Sequence, residues 1–352
     1  MVRPIDTSLD RSLPFRSDPE LRRRYMAANE PIIGNLRWGL VLEVLDKMAE
    51  DVALAYVRRS SSEAKVVTAA IDDIVLHTPA DITQDLHLHA RINYVGRSSM
   101  EVGIRIDQDT PAKQPLASSY FTMVARSGEG SAVQRLPLKP LECVDAQEKL
   151  RHAAAIQRRE AYRSRIDGAG EPPSPLEYQL LAELHAAQEH PAFDGLLAGN
   201  LVRSSLERMY PEQENVPQKI FGGYLVRRAF ELALMHAEEV APHRPVIVRI
   251  NRINFLQPVR IGDKLHFTSR IVYSGRTSLC VEVNIERTSL DKVTKALSNT
   301  CVFTFVNVNS MMQPQPVPKV YPTTYAEDAR YLEAYRRRLQ TVEPAEVGAV
   351  RS

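Results

Sequence analysis

The chain has 352 residues, room for two ordinary domains with a buried core each. Its 44% hydrophobic and 25% charged residues exclude a disordered or fibrous chain. The 45 basic and 43 acidic side chains are mixed along the sequence, so the net charge of +2 creates no field that would draw nucleic acid. No apolar run reaches the roughly 20 residues that a bilayer-spanning helix needs, which argues against stable membrane insertion.

The first stretch, residues 1–28, reads as an N-terminal extension. It carries six arginines in its first 25 residues, but Asp6, Asp10, Asp18 and Glu20 argue against a transit peptide. From Leu36 to about Tyr56 the apolar residues Leu40, Val41, Val44, Leu45, Met48 and Val52 recur with helical period. "YVGRSSMEVGIRI" then begins at Tyr94, with Met100, Val102, Ile104 and Ile106 alternating against Glu101, Gly103 and Arg105. Such period-two patterning predicts an antiparallel strand with one face on a core. His87 and His89 alternate with leucines just upstream and read as surface residues rather than a metal pair. "SGEGSA" from Ser127 is a polar linker.

The same sentence returns as "YSGRTSLCVEVNIE" at Tyr273, an offset of 179 residues. That offset also pairs Ile74 with Ile253 and Leu86 with Leu265. "LRWGLVL" from Leu36 matches "IFGGYLV" from Ile220 at an offset of 184, and "FTMV" from Phe121 matches "FTFV" from Phe303 at 182. The chain is therefore a duplication, each copy a long apolar helix laid on an antiparallel sheet, an α+β class. We divide it into residues 29–128 and 201–310, joined by a helical linker over 129–200 and followed by a tail over 311–352 with a short helix. Asp145 with Glu148, and Ser174 with Glu177, are capping boxes that open two linker helices. Cys143, Cys280 and Cys301 are odd in number and lack CxxC spacing, so no zinc site or disulfide framework is expected.

Absent motifs narrow the chemistry. There is no GxSxG elbow, no GxxxxGK[ST] phosphate loop, no HExxH helix, and no GxGxxG after a strand. "GNLRWGLVLEVLD" from Gly34, "NVPQKIFGGYLVRRAFELA" from Asn215, both YxGR[ST]S strands and the linker "PPSPLEYQLLAELH" together resemble the double HotDog acyl-coenzyme A thioesterases, nearest the mitochondrial thioesterase 9 type. The resemblance implies tandem HotDog domains, each a central helix wrapped by a curved antiparallel sheet, paired as an intramolecular dimer. It also implies hydrolysis of acyl-CoA to a carboxylic acid and coenzyme A, with no cofactor beyond the coenzyme A of the substrate and no metal. A homo-oligomer, as a trimer of two-domain chains, and a mitochondrial location follow from the same resemblance; a cytoplasmic one is the alternative. A non-catalytic acyl-CoA binder and a HotDog hydratase are the competing functions. The second lacks its "NPxHxD"-like loop here.

The family's working pair is an aspartate on one central helix and an asparagine before the other. Carried over by position, these are Asp46 and Asn215. At the opposite places stand Phe230 and Pro31, so one composite site keeps both members and the other keeps neither. Glu231, beside Phe230, is a candidate substitute acid. Gly222 and Gly223 open the second helix, where the first has Trp38 and Gly39, and small residues let a thioester carbonyl approach free backbone N–H groups. Arg97 with Ser98 and Ser99, and Arg276 with Thr277 and Ser278, are the candidate contacts to the phosphates of coenzyme A.

Overall fold

A computed structural model describes residues 2–30, 32–109, 115–128, 134–167, 172–216, 219–220 and 222–346. The first unit runs β1 (Leu9–Leu13), α1 (Pro19–Tyr25), α2 (Trp38–Arg58), β2 (Lys65–Ile71), β3 (Ile74–Leu76), β4 (Leu86–Val95), β5 (Ser99–Gln108), β6 (Ala117–Ser127) and β7 (Gln134–Arg135). The linker holds α3 (Ala146–Asp167), α4 (Pro175–Gln188) and β8 (Leu196–Leu197). The second unit runs β9 (Val202–Arg208), β10 (Glu214–Val216), β11 (Lys219–Ile220), α5 (Gly222–Val240), β12 (Arg244–Ile250), β13 (Ile253–Asn254), β14 (Lys264–Ser274), β15 (Ser278–Thr288) and β16 (Lys295–Val308). The tail adds β17 (Val320–Tyr321) and α6 (Tyr325–Glu346).

The repeat offsets map β2 onto β12, β4 onto β14, β5 onto β15 and α2 onto α5, so the duplication is structural as well as textual. Each unit is a HotDog fold. Its central helix is buried because its sequence is apolar on more than one face: Leu40, Val41, Leu45, Met48, Ala49 and Val52 of α2 are all 3% exposed or less. Thirteen strands form one sheet among the described residues, in the order β1-β4-β5-β6-β3-β12-β16-β15-β14-β9, with β2, β7 and β13 attached beside this path. The units join reciprocally: Ile74 of β3 pairs with Ile250 of β12, and Ile253 of β13 pairs with Ile71 of β2. That reciprocity is the mark of a two-fold interface, here inside one chain.

Three features go beyond the sequence reading. The stretch expected as an extension supplies β1, the edge strand of the first unit, as β9 does for the second. The outward faces of the sheets are covered: Arg158 of α3 pairs with Glu101 at 2.6 Å, and Cys280 lies in a second core with Tyr273, Leu184 of α4 and Tyr331 of α6. Period two reveals the alternation but not the helices that arrive later to cover its polar side. The tail helix is not short. It runs 22 residues, because Ala, Leu, Glu and Arg dominate it and its proline, Pro344, falls only at the end. Both linker capping boxes form as read: Glu148 N–H donates to Asp145 at 2.8 Å, and the Ser174 hydroxyl accepts from Glu177 N–H at 3.4 Å.

Candidate active site

Asp46 lies in the middle of α2, on the side facing the start of α5. Without tertiary structure it would pass for a solvated residue between Glu43 and Glu50. Instead it is 1% exposed. Its Oδ1 accepts from the Thr68 hydroxyl of β2 at 2.6 Å, and its Oδ2 accepts from the Gly223 N–H of α5 at 2.6 Å. The carboxylate thus bridges the two units. Burial pushes its pKa up to about 6, against the pull of the Thr68 and Gly223 hydrogen bonds, which favour the ionised form.

The helix start explains the glycines. A methyl group at Gly222 would lie 3.0 Å from Phe255 Cε1 and 3.2 Å from Asp46 Oδ2, so a larger residue would have to displace the ring or the carboxylate by a few tenths of an ångström. Gly223 N–H is committed to the carboxylate, so Gly222 N–H is the candidate helix-start donor for a ligand. The first N–H groups of a helix have no acceptor within it. Asp46, Thr68, Gly222 and Phe255 line a cavity of about 170 Å3, with apolar walls from Val66, Met123, Leu225 and Val259. Among the described residues no group of three or more His, Cys, Asp or Glu is placed to hold a metal ion.

Asn215 stands on β10, which pairs with β11 in a hairpin leading into α5. Its side chain lies outside the described residues, as does all of Pro31. Ser99 is level with Val124 and Val67, two strands across, so its turn lies about 10 Å along the sheet from Thr68. Arg97 in that turn is exposed, and Ser98 and Ser99 are half-buried. The corresponding turn of the second unit also exposes Arg276. The two turns are held alike: the Arg276 carbonyl accepts from Val317 N–H at 3.1 Å and the Thr277 carbonyl from Asn307 N–H at 2.9 Å, as the Arg97 carbonyl accepts from Leu138 N–H at 2.9 Å and the Ser98 carbonyl from Ala125 N–H at 3.0 Å.

The thioesterase superfamily model matches residues 44–114 and 218–294, one segment in each repeat, the first holding Asp46 and the second Gly222 and Gly223. A chloroplastic acyl-coenzyme A thioesterase 2 of Humulus lupulus is 30% identical over 91% of this chain and 77% of its own length. The chain belongs to the acyl-coenzyme A thioesterase family. The human mitochondrial acyl-coenzyme A thioesterase 9 is 29% identical, over 94% of this chain and 76% of its own. A solved acyl-CoA hydrolase from Bacillus cereus is 26% identical over 45% of this chain and 99% of its own, with a TM-score of 0.40.

In this thioesterase the places symmetry-related to Asp46 and Gly222 are filled by large apolar side chains. Phe230, at the place of Asp46, is 2% exposed and packs edge-on against Phe303 at 5.6 Å, with Phe305 at 6.0 Å. Trp38, at the place of Gly222, is also 2% exposed. Glu231, the candidate substitute acid, is engaged in ion pairs. Arg37, Arg227 and Arg228 all bind it, and although burial raises its pKa, Arg37 and Arg227 hold the carboxyl below the usual range. Sequence reading missed Thr68. The signal was present: at the offset of 179 its counterpart is Ile247, so the repeats disagree there just as they do at Asp46. Phe255 carries no such signal, because its role comes only from its position over Gly222.

Proposed function

We propose that the chain hydrolyses acyl-CoA thioesters to a carboxylic acid and coenzyme A at one composite site, with Asp46 as general base. The observation that carries this reading is the buried Asp46 carboxylate, held between Thr68 and the start of α5 at the wall of a cavity. A pKa of about 6 leaves it largely ionised at neutral pH yet basic enough to take a proton. Asp46 removes a proton from water as the water oxygen bonds the thioester carbon. The oxyanion accepts from Gly222 N–H at the partly positive end of α5. Collapse breaks the C–S bond, and the proton on Asp46 passes to the departing thiolate. Asn215 orients the water or the carbonyl.

Both oxygens of Asp46 already accept hydrogen bonds, which blunts direct attack and favours the general-base route over a mixed anhydride. No cofactor enters these steps. Phosphate contacts to coenzyme A are assigned to Arg97, Ser98 and Ser99, whose turn is level with Thr68, while Arg276, Thr277 and Ser278 flank the filled half. The mitochondrial relatives favour a mitochondrial address. The edge strands β1 and β9 at the two ends of the sheet favour a homo-oligomer, with a trimer as the proposed form.

The test is thiol release from short, medium and long acyl-CoAs, with Asp46→Asn as control. Turnover of at least one length, lost in the variant, is expected. Coenzyme A esters bound but never cleaved would move the assignment to a binding protein.

A further inference from the structure

A second cavity, about 250 Å3, lies between α3 and the outer face of the first sheet. It is on the opposite side of the sheet from the core: His89 and Arg91 of β4 face it, while Leu88, Ala90 and Ile92 between and beside them are 1% exposed or less. Four guanidinium groups line it, Arg91 and Arg105 from the strands and Arg151 and Arg158 from α3. Two are neutralised, Arg158 by Glu101 at 2.6 Å and Arg105 by Asp107 at 2.6 Å. His89 is tied to Asp10 at 2.7 Å, with Asp107 at 3.7 Å.

Among the described residues the other two have no ion pair. Arg151 donates to the neutral Gln147 at 3.1 Å, and Arg91 makes no hydrogen bond or ion pair among the described residues. The repeat shows what is missing. Arg270, the counterpart of Arg91, stands directly across the ladder from Glu282, whereas Arg91 stands across from Gly103. The first copy thus has no carboxylate at that ladder position, where the Asn93 side chain lies over Gly103 instead. Burial and the like charges of Arg151 and Arg105 hold Arg91 below the usual guanidinium range, against the weaker pull of the Asp10 and Glu148 carboxylates.

We propose that this cavity binds a phosphate dianion, as inorganic phosphate or a small phosphate monoester, at a site separate from the thioester cavity. Two guanidiniums with no ion pair among the described residues supply charge for it, and their planar donor forks match its oxygens. Coenzyme A carries phosphates too, so the test separates the sources. Inorganic phosphate is titrated calorimetrically into the intact chain against chloride at equal ionic strength, with Arg91→Gln and Arg151→Gln alongside. One phosphate per chain is expected, with affinity falling about tenfold to a hundredfold in each variant. The KM for acyl-CoA should not change. Heats no different from chloride, or phosphate affinity untouched by both substitutions, would overturn the site. A KM that rises for coenzyme A esters but not for pantetheine esters would overturn its separateness and make it part of the substrate groove.

Discussion

Replacing Asp46 by Asn keeps the shape of a buried side chain and removes only its charge. In the native chain, folding raises the Asp46 pKa from the ordinary 3.8 to about 6, so the folded state holds this proton more tightly than the unfolded state does. Between those values stability falls as pH rises, and above them the ionised carboxylate costs about 3 kcal/mol, at 1.36 kcal/mol per pKa unit. Asn carries no such cost, and its amide still has an acceptor for Gly223 N–H. The variant should therefore equal the native chain in stability near pH 3.8 and exceed it by up to about 3 kcal/mol at pH 7. Its thiol-release kcat should fall about a hundred- to ten-thousandfold, the range for a lost general base. Denaturant titration across pH and kcat/KM against pH measure both effects, with an acidic limb near pH 6 expected in the native enzyme. Unimpaired turnover by Asp46→Asn would refute the base assignment, and a variant less stable at pH 7 would refute the account of burial.

Removing the Thr68 hydroxyl, as Thr68→Val, should move the acidic limb of kcat/KM upward and lower the rate at pH 7, because the hydroxyl bond favours ionised Asp46. Gly222→Ala should fold normally yet lose activity on the order of a hundredfold, since its methyl group displaces Phe255 or the carboxylate. Phe230→Ala should cost about 3 to 5 kcal/mol in denaturant unfolding through lost packing on Phe303 and Phe305, with kcat per folded chain unchanged. Arg97→Ala should raise KM for coenzyme A esters more than for pantetheine esters, and Arg276→Ala should do so less; equal sensitivity of both ester types to Arg97→Ala would remove its phosphate role.

The duplication, the helices and the strand alternation were legible because each is a local pattern repeated at a fixed offset. The proposed site came from the family resemblance, and the disagreement of the copies at Asp46 against Phe230 and Gly222 against Trp38 then favoured one of its two positions. The covering of the sheets by α3, α4 and α6 was not legible, since nothing in "DAQEKLRHAAAIQRREAYR" states which face it will cover. Nor was the full burial of Asp46, because the residues that enclose it come from β2, β6 and the second repeat. Thr68 lay within reach of the repeat comparison that sets Phe230 against Asp46. It is a common strand residue, and only the hydrogen bond shows what its exchange for Ile247 removes.

The reciprocal pairing of β3 with β12 and of β2 with β13 places the carboxylate and its N–H donor on opposite sides of a junction that a single-unit protein would have to assemble by association. Here both sides belong to one polypeptide, so dilution cannot separate them and their effective concentration is fixed by the linker. Freed from identity with its twin, each half can change alone. Active-site titration should therefore count one reacting centre per chain at any protein concentration, however many chains assemble.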